Sequence, residues 1–351
     1  MGVGLIGGSI GLAARERVGA HVSGYDVAPG AAQAALEHGA LDMACSSVAE
    51  ALDGAHAAFI ATPVGALSSV LSEVLDVAGP QCVVSDVGST KRAVVAAATD
   101  PRFVGGHPLA GAETAGVGHA RADLFDGATW YLTPTRATTG VLYERLHRLL
   151  RDLGARPAAL DAETHDRLLA SVSHLPHVLA NVLVAQAARA LDRDGERLPA
   201  TGPSFRDATR VAGASTAIWG DIYASNAEAL VATIDDAVRR LQTVRAALVH
   251  DDREAIEAWN DGAREDRRRL LEADLAGGPV QELRASVPNR PGVVADVALA
   301  LGGAGVNILD MALYPAPDHS SGVIALWIAG DERARQAEAL LAGLDLSVAR
   351  V

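Results

Sequence analysis

Gly2-Val3-Gly4-Leu5-Ile6-Gly7, followed by Gly8-Ser9-Ile10-Gly11, is the stretch that decides the fold. It fits the spacing G-x-G-x-x-G. The first glycine makes a tight turn, the second lets a pyrophosphate approach the backbone, and the third lets a helix pack closely on a strand. Glycine is common here, 35 of 351 residues, so the spacing alone is a weak signal. Its surroundings strengthen it. Residues 9–17 read as a helix whose N-terminal N–H groups and dipole suit a phosphate. Asp26 ends the next apolar run about twenty residues on, where a carboxylate accepts hydrogen bonds from a ribose 2′-hydroxyl and repels a 2′-phosphate. That arrangement favours NAD over NADP. One part is missing: the motif needs a strand immediately ahead of it, and only Met1 precedes Gly2. Such a strand lies at the centre of the sheet. Leaving its neighbours' backbone groups buried and unpaired costs about 1–3 kcal/mol each, against a domain stability of about 5–15 kcal/mol. The expectation is a functional product that begins about six to ten residues earlier with an apolar, β-branched run.

Outward from the glycines, residues 1–160 alternate apolar runs with Ala-rich helical stretches. Residues 21–27, 57–62, 81–87, 103–106 and 129–133 read as strands, and 31–38, 66–77 and 90–98 as helices between them. Strand and helix in alternation imply an α/β domain, a Rossmann-type parallel sheet wound on both faces. Residues 161–277 keep helical period throughout, over 165–193, 204–211, 216–225, 226–250 and 252–275, and read as an all-α domain. Gly277, Gly278 and Pro279 punctuate the chain. Residues 279–351 then follow a βαββαβ order, with strands at 280–287, 306–314, 322–328 and 344–351 and helices at 291–302 and 331–342. That order is the ferredoxin-like arrangement.

A formal charge of −13 argues against a nucleic-acid partner and an anionic membrane surface, although a few local arginines can still attract an anionic small molecule. Cys45 and Cys82 have no metal or redox spacing and read as reduced thiols of a cytoplasmic protein. No stretch reads as long and apolar enough to span a bilayer, and no secretory signal is visible.

Two loops follow strands at the edge where an open α/β sheet binds ligands, Ala61-Thr62-Pro63-Val64 and Asp86-Val87-Gly88-Ser89-Thr90-Lys91. Thr62 and Pro63 join Gly4, Leu5, Ile6, Gly7, Gly8 and Asp26 as candidate cofactor contacts. His107, in Gly105-Gly106-His107-Pro108-Leu109-Ala110-Gly111, follows the next strand. A histidine held there suits acid–base work, or a structural bond to its own loop. His174 and His177 are three apart, but Pro176 between them and the lack of a carboxylate-rich motif speak against a metal pair. Arg206 and Arg210, four apart, share one helix face and suit a carboxylate bound in a fork.

GLIGGSIG (4–11), ATPV (61–64), DVGSTK (86–91), GGHPLAGAE (105–113), SHLPH (173–177) and the 205–210 stretch ahead of Trp219 occur in the order found in prephenate dehydrogenases. The chain resembles that family over most of residues 2–275, and GGHPLAG followed by SHLPH carries the specificity. The resemblance implies NAD-dependent oxidative decarboxylation of prephenate to 4-hydroxyphenylpyruvate, in tyrosine biosynthesis. It implies His107 as the group that takes the proton of the ring hydroxyl, with Ser89 beside it. It also implies Arg210 as the holder of a substrate carboxylate, with His177, Glu113 and Arg206 lining the pocket. Ala112 departs from the pattern, because many relatives carry Thr there, so one polar pocket contact is absent. Arogenate dehydrogenase, with an amino group replacing the side-chain keto oxygen of the substrate, stays open as an alternative, as does a catalytically inactive ligand-sensing regulator.

Residues 279–351 resemble ACT domains. Asn289-Arg290-Pro291-Gly292-Val293 lies at a strand-to-helix turn, and Gly305-Val306-Asn307-Ile308 opens the next strand. In the regulated form of 3-phosphoglycerate dehydrogenase the same two elements bind an amino acid between paired ACT domains. The resemblance therefore implies an effector site at Asn289, Gly292 and Asn307, with L-tyrosine as inhibitor, in a homodimer. A module used only for dimerisation is the alternative. On the effector reading, removal of residues from about 279 onward leaves activity and abolishes inhibition.

Overall fold

The computed structural model describes residues 1–111, 114–192, 201–275, 280–316 and 320–351. The chain divides into two units, one of Met1–Asp166, Gly213–Ser225 and Val280–Val351, the other of Arg167–Ala212 and Asn226–Pro279. In the first, α1 (Leu5–Ala13) opens directly on the glycine run and passes into a π-helical turn, Ala14–Val18. Then follow β1 (Ser23–Gly24), α2 (Ala31–Glu37), β2 (Met43–Ala44), α3 (Val48–Ala51), β3 (Ala57–Ile60), α4 (Leu67–Val77) and β4 (Val83–Asp86). After these come α5 (Arg92–Ala97), β5 (Phe103–Pro108), β6 (Thr129–Thr133), α6 (Gly140–Asp152), β7 (Arg156–Ala159) and α7 (Ala162–Leu169).

Five strands form one sheet in the order β3-β4-β5-β6-β7. Both faces are covered, so neighbouring residues serve opposite cores. Val83 and Val104 pack on one side, Val84 and Phe103 on the other. The sheet is mixed rather than wholly parallel, which corrects the sequence expectation. β3, β4 and β5 run parallel, but β6 pairs antiparallel with β5. A parallel return needs a crossover, usually a helix, and the described part of the β5–β6 connection holds only a 3₁₀ turn, Val117–His119.

β1 and β2 pair with each other, apart from the larger sheet. Met1 and Gly2 stand between them and β3. The Met1 ammonium donates to Phe59 O at 2.9 Å, Ala61 N–H donates to Met1 O at 2.7 Å, and Gly2 N–H donates to Tyr25 O at 2.9 Å. Burial pushes that ammonium down to about 6. Behind these two residues lies a cavity of about 580 Å³, walled by Gly24, Leu41, Ala58, Phe59 and Leu149. It occupies the place of the expected central strand, and the strand expected over 21–27 shrinks to Ser23–Gly24.

After α7 a second π-helical turn, Ala170–His174, leads into α8 (Leu175–Asp192), α9 (Pro203–Thr209), α10 (Thr216–Ser225), α11 (Ala227–Val249) and α12 (Arg253–Leu275). α10 belongs to the first unit. Its Asp221 carboxylate accepts from Gly65 N–H at 3.2 Å, and Ser225 Oγ lies 2.9 Å from Thr90 Oγ1. In the second unit Asp252 caps α12 by accepting from Ala255 N–H at 3.0 Å. Val231, Val238, Leu241 and Leu248 of α11 are exposed at steps of 7, 3 and 7, one stripe along the helix. The helical run Ala162–Arg189 is, at 28 residues, long and apolar enough to cross a membrane by length and composition. The sequence reading has a helix of about this length, over 165–193, but took no stretch as apolar enough to span a bilayer, and that expectation is corrected by the composition of this run.

The C-terminal module consists of β8 (Val280–Pro288), α13 (Val293–Gly303), β9 (Ile308–Pro315), β10 (Ser321–Ala329), α14 (Asp331–Ala342) and β11 (Ser347–Arg350). Its sheet has the order β11-β8-β10-β9, antiparallel at every pairing. This is the expected βαββαβ module. It is not a separate bead, however. Val294, Val297, Leu301 and Ile308 share one hydrophobic core with Trp130, Leu146 and Leu150 of the nucleotide-type domain. Removing the module would uncover that core.

Candidate active site

The glycine run divides its labour. Gly2 sits at φ +79°, and a β-carbon on Gly7 would stand 1.9 Å from Gly2 O. A β-carbon on Gly8 would stand 2.9 Å from Val117 Cγ2. Only Gly4 faces open space. Gly7 and Gly8 therefore serve close packing, and Gly4 is the point where a ligand can approach the backbone. Leu5 and Ile6 open α1, which has no side-chain cap, so its first turn offers N–H groups to an anion. Asp26 ties the turn to the end of β1, accepting from Val3 N–H at 2.9 Å and from Ala28 N–H at 2.8 Å. Ahead of Pro63, Thr62 Oγ1 is buried without a hydrogen-bond partner among the described residues. An orphaned hydroxyl, an uncapped helix and an open glycine fit the dinucleotide expected from the sequence.

His107 lies near the end of β5 and is 8 % exposed. Two glycines precede it for a steric reason: a β-carbon on Gly106 would stand 2.6 Å from Asp86 O. Gly106 N–H instead donates to Asp86 Oδ1 at 3.1 Å. Asp86 Oδ2 accepts from Gly88 N–H at 2.8 Å and is paired with the fully buried Lys91 ammonium. Ser89 lies half-buried in the turn between Gly88 and Lys91.

Behind His107 stands a second histidine. His107 Nδ1 lies 2.9 Å from His165 Nε2, and His165 Nδ1 lies 2.8 Å from Asp166 Oδ1. The Asp166 carboxylate also accepts from Lys91 N–H at 2.7 Å and Arg92 N–H at 3.0 Å, which caps α5. Burial pushes the Asp166 carboxyl up, but His165 and the two amides outweigh it and hold it below the ordinary range. Burial pushes His165 down, against the pull of Asp166, so its ring stays neutral. The sequence reading named Asp86 and Lys91 only as members of a motif and passed over His165 and Asp166. Their signal was there: both continue the buried stripe that Leu169 and Ala170 carry four residues later.

In the second unit His177 on α8 is buried, and desolvation holds its ring below the ordinary range. Its Nδ1 lies 3.4 Å from Asn181 Nδ2. Arg206 and Arg210 sit on and just after α9, both exposed, and Arg206 Nη1 donates to Thr201 O at 2.7 Å. Glu113 and Ala112 lie outside the described residues. In the C-terminal module Asn289 and Asn307 are exposed. Gly292 is buried at φ +82°, where a β-carbon would stand 2.8 Å from Arg136 O.

Comparison with known proteins gives three matched families in order: the nucleotide-binding domain of prephenate dehydrogenase over residues 10–158, its dimerization domain over 161–260, and the ACT domain over 282–340. The chain is 31% identical to a prephenate dehydrogenase of Bacillus subtilis over 347 residues, 96% of this chain and 93% of that protein. It resembles the crystal structure of the A. aeolicus prephenate dehydrogenase in complex with hydroxyphenyl propionate and NAD+, with a TM-score of 0.72 and 27% identity, covering 77% of this chain and 96% of that one. It also resembles the Synechocystis arogenate dehydrogenase, with a TM-score of 0.67 and 25% identity over 77% and 98% of the two chains.

Proposed function

Because this chain belongs to the prephenate dehydrogenase family, we propose that it carries out the NAD+-dependent oxidative decarboxylation of prephenate to 4-hydroxyphenylpyruvate. Bound NAD+ supplies the acceptor for the hydride that leaves C4. The observation that supports the reading is the contact of His107 Nδ1 with His165 Nε2 at 2.9 Å, which turns one nitrogen of a buried ring at the ligand edge of the sheet to a protein partner. His107 Nε2 takes the proton of the C4 hydroxyl as that carbon becomes a carbonyl; when CO2 leaves C1, the electron pair it leaves makes the ring aromatic and the C4 oxygen takes a proton back. Ser89 orients the hydroxyl. Arg210 pairs with a substrate carboxylate by a charge-assisted bond, and the family resemblance assigns His177, Arg206 and Glu113 to the substrate as well. Gly4, the first turn of α1, Thr62 and Pro63 hold the dinucleotide, and Asp26 selects NAD+ over its 2′-phosphorylated form.

The exposed stripe Val231, Val238, Leu241 and Leu248 is the face on which a second copy packs, making a homodimer. L-tyrosine, the product of the pathway, binds at Asn289, Gly292 and Asn307 and inhibits. Cys45 and Cys82 are both buried free thiols, which suits a cytoplasmic enzyme.

A second reading, arogenate as the substrate, is favoured by the likeness to the Synechocystis arogenate dehydrogenase. NAD+ reduction measured with prephenate and arogenate side by side tests both. A higher kcat/KM for prephenate is the expected result, a reversed order gives the second reading, and no turnover with either overturns both.

A further inference from the structure

We propose that His165 and Asp166 are positioning residues that impose one tautomer on His107 and so make its Nε2 the basic nitrogen. The inference rests on the reading of His107 as the proton acceptor and adds a device that the reading does not require.

Asp166 accepts from Lys91 N–H and Arg92 N–H, and an ionised carboxylate can only accept. The ring atom 2.8 Å away, His165 Nδ1, must therefore carry the hydrogen. A neutral imidazole with hydrogen on Nδ1 is bare at Nε2, so His165 presents an acceptor to His107 Nδ1 at 2.9 Å. His107 must then carry its own hydrogen on Nδ1, which leaves Nε2 with the lone pair. The opposite assignment would aim the bare Nδ1 of His165 at a carboxylate. The frame behind the dyad is stiff, because Asp166 caps α5 while Gly106, one residue before His107, is bonded to Asp86.

The same chain of bonds favours the cation that His107 becomes on taking a proton, since a negative Asp166 lies at its far end. Among the described residues, titratable or charged groups around the pair include Asp86 and Lys91 on β4 and the turn into α5, Tyr131 on β6, and Asp166 itself on α7. Two facts separate this from a packing role: both residues are completely buried, and Asp166 Oδ1, the two ring nitrogens of His165 and His107 Nδ1 follow one another at hydrogen-bond distance.

Two amide substitutions at one position test it. The amide of Gln reaches the place of Nε2 and keeps an acceptor for His107, whereas the shorter amide of Asn reaches only the place of Nδ1 and keeps the bond to Asp166. His165→Asn should lower kcat about a hundredfold or more, with KM and nucleotide affinity little changed. It should also move the acid limb of the kcat/KM pH profile to lower pH, because the base loses its link to Asp166. His165→Gln should retain kcat within about tenfold of the parent, since the tautomer-setting acceptor remains. Equal kcat in the two variants, with an unmoved acid limb, would overturn the proposal and leave His165 as packing. His107→Asn is measured beside them: if it keeps near-normal turnover, the reading of His107 itself fails, whereas an inactive His107→Asn with two fully active His165 variants removes only the dyad.

Discussion

The carbonyl oxygen of Ala159 lies 1.7 Å from the point where a β-carbon on Gly302 would stand. The end of α13 therefore rests directly on the backbone at the end of β7, and the C-terminal module meets the nucleotide-binding domain there without a side chain between them. Gly302→Ala should lower the melting temperature. The helix propensity gained, about 1 kcal/mol, is smaller than the overpacking cost of about 1–3 kcal/mol against a rigid carbonyl. An unchanged or raised melting temperature would show that the seam opens freely.

The cavity of about 580 Å³ between β1 and β3 offers a direct measure of what a central strand contributes. Fusing six to ten apolar, β-branched residues ahead of Met1 should fill it, raise the melting temperature and tighten NAD+ binding. The buried Met1 ammonium, held down to about 6, would be replaced by a neutral amide, removing a further cost. Equal stability and equal affinity in the two proteins would mean that the sheet does not need this position filled.

His147 on α6 is 1 % exposed, faces the module across the same seam, and is pushed down to about 4, chiefly by burial and then by Arg151. Its folded-state affinity for a proton is lower than in the unfolded chain, whose ordinary value is 6.5. Stability is thus unaffected by this group above pH 6.5 and falls as the pH drops toward 4. The loss reaches about 3 kcal/mol at the lower end. Thermal melts between pH 4 and 7 should be flatter for His147→Leu than for the parent; parallel curves would exclude the histidine as the source.

Arg210→Ala should raise KM for prephenate strongly, by the loss of a charge-assisted partner to a substrate carboxylate, about 2–4 kcal/mol. Arg210→Lys should recover only part of it, since a point charge replaces a planar fork. Steady-state kinetics identical to the parent in the Ala variant would remove Arg210 from the substrate site.

Asn289→Ala and Asn307→Ala should weaken inhibition by L-tyrosine while leaving the uninhibited rate unchanged, because both side chains are exposed and neither belongs to the shared core. These substitutions replace deletion of the module as the test. Calorimetry that finds no amino acid bound to the intact protein would leave the module as a dimerisation device.

The sequence by itself determined whatever depends on local chemistry. The glycine spacing with Asp26, the GGH turn, and the βαββαβ order of the C-terminal module are all short-range, because steric demand and periodicity act between near neighbours. Even some of this went unread: α6 carries Leu142, Leu146 and Leu150 at every fourth place, all buried, yet the charged residues between them masked a helix. Tertiary structure decided the rest. That β6 turns back antiparallel goes with a connection whose described part holds only a 3₁₀ turn, and that α10 joins the first unit follows from bonds to Gly65 and Thr90 far away in the chain. His165 sits 58 residues from His107, and nothing local marks one as the partner of the other. A buried polar group must find its hydrogen-bond partner wherever packing brings one, and only the folded chain says which partner that is.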